Sequence, residues 1–153
     1  MSTKSPRIEI SNTSAKIAII ASLWNEEIVA QLITGAEDTL SLASVEYETF
    51  RVSGAFELPL LCSRALESFD AAIALGVVIR GDTPHFDYIN KAVTDGINRV
   101  ILDSKKPIGF GVLMVEDDRQ ALERVQPNNN KGKESAEAVL LSLEQLRKVE
   151  GQP

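Results

Sequence analysis

Six consecutive residues, Arg80-Gly-Asp-Thr-Pro-His85, combine side-chain types that chemistry needs close together. Thr83 before Pro84 has the form of a helix cap followed by a proline at the first helical position, where a missing N–H costs nothing. The backbone N–H groups of Asp82 and Thr83 would then lie at a helix amino terminus, where the helix dipole favours phosphate or another anion. His85, the single histidine of the chain, falls in that first turn and is the residue type that exchanges protons near neutral pH. A proton carrier beside an anion site is a catalytic arrangement.

Other residues carry a chemical reading beside a plainer one. Trp24 offers a planar face for a ligand to stack on, or a large apolar group for the core. Glu57, in Gly54-Ala-Phe-Glu57, can accept from ligand hydroxyls or simply favour the helix that follows. Arg124 can pair with an anion or oppose the dipole of the helix it ends. Lys131-Gly132 reads as a solvated turn, Cys62 at a helical apolar position as packing. A histidine at a helix start is more often a surface or hydrogen-bonding residue than a catalyst.

The composition narrows the chemistry. The 153 residues are 44% hydrophobic and 25% charged, ordinary for one globular domain spanning 1–153 with 1–15 as an amino-terminal arm. Twenty-two acids against sixteen bases give a net charge of −6 with no basic stripe, so nucleic acid is not an expected partner. One cysteine and one histidine leave no disulfide and no Cys/His zinc cluster, and no metal or other cofactor is expected. No apolar run approaches the ~20 residues of a membrane span, and Met1 to Arg7 lacks the apolar centre of a secretory signal. A cytoplasmic protein without a membrane partner is the expectation.

Positioning falls to alternating strands and helices. Lys16 to Ser22 is a near-continuous apolar run that suits a parallel strand covered on both faces. Helical spacing follows from Trp24 to Ala43, then a β-like stretch from Val45 to Val52, a helix from Leu58 to Ser68 and a buried strand from Ala71 to Ile79. Pro84 to Asp103 is helical, Pro107 to Val115 a strand, and two helices close the chain. The first opens at Asp117, with Gln120 placed for a capping box, and the last runs from about Lys133 to Val149. The stretch Gln126 to Lys133 between them reads as a loop. Arg7 to Ile10 is long enough for an additional short strand.

This pattern predicts an α/β fold, a three-layer α/β/α sandwich around a four-stranded parallel sheet of flavodoxin-like type. Ligands of such sheets gather beyond the carboxyl ends of the strands. Ser22-Leu-Trp-Asn25, Ser53-Gly-Ala-Phe-Glu57 and Arg80 to His85 all fall there. None is a dinucleotide or P-loop fingerprint.

Taken together, Gly54-Ala-Phe-Glu57, Arg80-Gly-Asp-Thr-Pro-His-Phe-Asp-Tyr88, Phe110-Gly-Val-Leu113, Gln120-Ala-Leu-Glu-Arg124 and Asn130-Lys-Gly132 resemble, in order, the motifs of the 6,7-dimethyl-8-ribityllumazine synthases of riboflavin biosynthesis. The resemblance runs from about Lys16 into the last helix. It implies a condensation of 5-amino-6-(D-ribitylamino)uracil with 3,4-dihydroxy-2-butanone 4-phosphate that releases phosphate and water and needs no cofactor. Trp24 matches the position that stacks on the pyrimidine, usually Phe, and Asn25 follows it as in the family. Ala55, Phe56 and Glu57 match the segment around the ribityl chain and ring. The backbone of Val77, Val78 and Ile79 matches the stretch that reads the pyrimidine edge. Asp82 and Thr83 match the phosphate-binding pair, Arg124 the arginine that joins them, and His85 the general acid/base. Phe110 matches an aromatic reaching the ligand from a neighbouring subunit, and Lys131 a lysine on the same ligand. The resemblance thus implies a homo-oligomer with sites at its interfaces and closed fivefold assembly, the pentamer, paired pentamers and the icosahedral capsid remaining open.

Riboflavin is an expected further ligand of the larger Trp24 ring. The chain departs from the family pattern at Asn90-Lys-Ala92, at Ser53 and in a loop one residue shorter between Arg124 and Lys131, which bears on the role of Lys131. The alternative function is a flavin- or lumazine-binding module of the same fold that performs no chemistry.

Overall fold

The structure is a computed structural model that describes residues 6–8 and 14–152. The strand expected over Arg7 to Ile10 falls partly outside those residues, and Arg7 and Ile8 are not in a strand.

Four strands, β1 (Lys16–Ser22), β2 (Glu46–Val52), β3 (Ala71–Ile79) and β4 (Ile108–Val115), form one sheet in the order β2-β1-β3-β4. Every pair is parallel, with Ile17 opposite Tyr47 and Ala71, and Ala74 opposite Phe110. Five helices connect and close them: α1 (Glu26–Leu42), α2 (Leu58–Ala65), α3 (His85–Ser104), α4 (Asp118–Glu123) and α5 (Lys131–Val149). The class and layering match the expectation.

Strand alternation explains the three layers. Ile17, Ile19 and Ala21 of β1 point to one face and join Val29, Leu32 and Leu40 of α1 and Val139 of α5 in one buried cluster. Ala18 and Ile20 point the other way, into a second cluster with Leu58 and Cys62 of α2 and Val93 and Ile97 of α3. Each face therefore has its own dry core, and β1 and β3, covered on both sides, read as unbroken apolar runs.

Several boundaries differ from the expected ones. The first helix starts at Glu26, because Asn25 adopts the left-handed conformation (φ 59°, ψ 51°), tolerated by Asn better than by most residues, while its carbonyl accepts from Ile28 and Val29 N–H. A 3₁₀ turn at Ala55–Glu57 precedes α2, which ends at Ala65 rather than Ser68. The expected loop over Gln126 to Lys133 is a small antiparallel hairpin, β5 (Val125–Gln126) with β6 (Asn129–Asn130), running directly into α5. Asn130 makes that entry possible. Its Oδ1 accepts from Gly132 and Lys133 N–H at 2.8 and 3.1 Å, capping α5, and its Nδ2 donates to Gln31 O at 3.0 Å, fastening the cap to α1.

Candidate active site

The strand order reverses between β1 and β3, and at such a switch point the departing loops splay apart and open a crevice beyond the carboxyl ends of the strands. The loops after β1, β2 and β3 meet there. Asn25 Nδ2 donates to Val77 O at 3.4 Å, tying the first loop to β3 across the crevice. Leu23 N–H donates to Val52 O at 2.8 Å, tying it to β2.

Trp24 is 69% exposed, not a core residue. Its ring lies against Gly54: a Cβ built there would sit 3.2 Å from Trp24 Cδ1 and 3.3 Å from Glu57 Oε2. Any side chain at position 54 would press on both groups. Glu57 Oε2 accepts from Gly54 N–H at 2.9 Å, which fixes the carboxylate beside the indole. Glu57 also stands at the start of α2, so its local and its ligand-facing readings are compatible. Ala55 is buried beneath this turn, whereas Phe56 is 60% exposed. Val77 is buried, Val78 and Ile79 half-buried, and all three pair with β4.

Gly81, Asp82, Thr83, Pro84 and His85 are all exposed. The helix starts one residue later than expected: Pro84 is its cap, and Pro84 O accepts from Asp87 N–H at 3.1 Å. Thr83 nonetheless caps in the chemical sense, because its Oγ1 accepts from His85 N–H at 3.4 Å.

Arg80 holds this loop. Its N–H donates to Val115 O at 2.9 Å, its Nε donates to Glu116 Oε2 at 2.7 Å, and its Nη2 lies 3.5 Å from Asp87 Oδ1. The guanidinium carbon sits 4.3 Å above the Phe86 ring, a cation–π contact. The Glu116 hydrogen bond, with help from Asp87, holds the guanidinium above its ordinary pKa.

A second group lines a cleft of its own. Phe110, Leu113, Val115, Arg124 and Lys131 line a 270 Å³ cleft along β4, the edge strand, and no residue from the loops after β1, β2 or β3 lines it. Arg124 ends α4, its Nη1 donating to Gln120 O at 2.7 Å and its carbonyl accepting from Lys131 N–H at 2.9 Å. Lys131 opens α5 rather than a solvated turn, and its Nζ pairs with Glu134 Oε2 at 2.7 Å. The expected capping of α4 is present with one shift. Asp117 Oδ1 accepts from Gln120 N–H at 2.9 Å, but Gln120 Oε1 reaches back to Glu116 N–H.

The candidate residues thus fall into two groups within one chain, Trp24, Asn25, Glu57 and His85 with their loops, and Phe110, Arg124 and Lys131. Residues 14–147 match the family model described as 6,7-dimethyl-8-ribityllumazine synthase. The chain belongs to the lumazine synthase family. A lumazine synthase of Leifsonia xyli is 46% identical over 146 residues, covering 93% of this chain and 92% of that protein. The enzyme of Kineococcus radiotolerans is 43% identical over 149 residues, with 96% and 92% coverage. That of Bdellovibrio bacteriovorus is 47% identical over 128 residues, with 82% and 72% coverage.

The sequence analysis named Arg80 only as part of its motif, without a role, and did not single out Arg51. Arg80 is the first residue of the most specific motif, yet its partner Glu116 lies 36 positions away, beyond any local pattern. Arg51 has only the faint signal of a cation at the carboxyl end of a strand.

Proposed function

We propose that this chain, acting as a single domain, is a lumazine synthase that condenses 5-amino-6-(D-ribitylamino)uracil with 3,4-dihydroxy-2-butanone 4-phosphate. The observation that carries this is the family match over 14–147, a span containing both groups of residues. The uracil's amine attacks the ketone and water leaves to form an imine. Phosphate is then eliminated, and ring closure with loss of a second water gives 6,7-dimethyl-8-ribityllumazine.

Trp24 stacks on the pyrimidine, whose edge is read by the backbone of Val77 to Ile79. Asn25 keeps the Trp24 loop against β3. Ala55, Phe56 and Glu57 surround the ribityl chain, and Glu57 Oε1, which has no protein hydrogen bond among the described residues, accepts from its hydroxyls. Backbone N–H groups of Asp82 and Thr83, in the loop that leads into α3, take the phosphate, and His85 carries protons for imine formation and elimination. Phe110, Arg124 and Lys131 complete the site from the partner subunit, the arginine's forked donors pairing with the phosphate. Their separation from His85 within one chain, and the exposure of Phe56, Tyr88 and Leu102, support a closed homo-oligomer in which a neighbour covers these groups. Holding two substrates in register supplies much of the rate.

The test mixes purified protein with both substrates and follows lumazine fluorescence and phosphate release together. Both signals should rise in step above the uncatalysed rate. His85→Ala should lower turnover by about a hundredfold while leaving measurable catalysis from orientation alone. A folded, assembled wild-type sample with no acceleration would leave a binding module in its place.

A further inference from the structure

Two arginines outside the substrate-contacting set each grip both ends of one site loop. Arg51, near the end of β2, donates from Nε to Ala21 O at 3.3 Å and from Nη2 to Ser22 O at 2.9 Å, on the near side of Leu23-Trp-Asn25. On the far side its Nη1 donates to Glu26 Oε1 at 3.0 Å, and Nη2 bonds the other carboxylate oxygen. Arg80 does the same for Gly81 to His85. It is itself the near end, and it returns across the loop to the Phe86 ring and the Asp87 carboxylate, with Glu116 anchoring it to the end of β4.

We propose that Arg51 and Arg80 are positioning residues, Arg51 setting the loop that stacks the pyrimidine and Arg80 the loop that takes the phosphate and carries His85. The inference rests on the assignment of those loops to two different substrates. A planar guanidinium suits both places because its forked donors serve two or three fixed acceptors at once, and at Arg80 its face also stacks on an aromatic ring. Lysine keeps the charge but offers a single ammonium, which cannot meet those partners together. The two clasps share no residue, so their effects should separate by substrate.

Wild type, Arg51→Lys and Arg80→Lys are compared in assembled form, with Arg51→Met and Arg80→Met alongside and thermal melting as the check on folding. Arg80→Lys should raise KM for the butanone phosphate about tenfold and lower kcat by a similar factor, with KM for the pyrimidine within about twofold. Arg51→Lys should raise KM for the pyrimidine about tenfold and leave that for the butanone phosphate within about twofold. Inorganic phosphate binding by calorimetry and riboflavin quenching of Trp24 fluorescence read the same split without turnover. Phosphate affinity should fall in the Arg80 variants and riboflavin affinity in the Arg51 variants. Equal effects of both arginines on both ligands, or no effect of either beyond a lowered melting temperature, would overturn the proposal. A wild-type chain that binds both probes without turnover would instead sink the proposed activity, and the binding split would still decide the clasps.

Discussion

Trp24 holds most of its indole in solvent at the mouth of the crevice, with Gly54 beneath one edge and Glu57 beside it. Burying that surface under a tricyclic flavin gains more contact than a phenyl ring would, so Trp24→Phe should weaken riboflavin binding by about three- to tenfold. Fluorescence or calorimetric titration measures this, and equal affinities would remove the stacking account. Cys62 is the opposite case. Burial pushes its thiol up to about 12, so it should resist alkylation at pH 8 in the native protein and react fully in denaturant. Acid should act on Glu26, whose carboxyl the Arg51 hydrogen bond holds below the usual carboxylate range. A lowered folded-state value means the pair contributes above the ordinary carboxylate pKa and is lost as pH falls through the lowered one. Stability curves of wild type and Glu26→Gln should therefore differ near neutrality and converge in acid.

At the scale of elements, what was legible in the sequence followed how local the physics is. β1, β3 and β4 are written in apolar runs, β2 in a mixed polar and apolar β-like stretch, and the helices between them in helical spacing, since their burial is decided within a few residues. The hairpin over Val125–Asn130 was not legible. Its strands have two residues each, and it is held by Asn130 reaching Gln31, 99 positions away. The candidate site divides the same way: its residues were named from contiguous motifs, whereas Arg51 and Arg80 meet Glu26 and Glu116 only in three dimensions. Tertiary contact also explains Gly132, where a Cβ would lie 2.0 Å from Leu32 O of α1. Backbone on both sides leaves little room to relax. Gly132→Ala should destabilise the chain by about 1–3 kcal/mol in urea unfolding, while an alanine at the open position of Gly81 should change stability little.

Across the whole molecule, the separation of Phe110, Arg124 and Lys131 from His85 makes complementation between chains the informative experiment. His85→Ala and Arg124→Ala chains should each assemble into poorly active oligomers. Co-assembled from equal amounts, they should recover about a quarter of wild-type activity, because random neighbours pair two intact halves at one interface in four. Recovery no greater than the average of the separate variants would place both halves in one chain. The same division has a genetic reading. In the proposed assembly a defective copy lacking one half would spoil a single interface, so activity would decline in proportion to its dose, and about half would survive an equal mixture with normal chains. A copy lacking both halves would spoil the interfaces on either side of it, and survival would drop to about a quarter. Alleles of this protein should therefore range from simple dosage loss to partial dominance according to whether the lesion touches one edge of the fold or both.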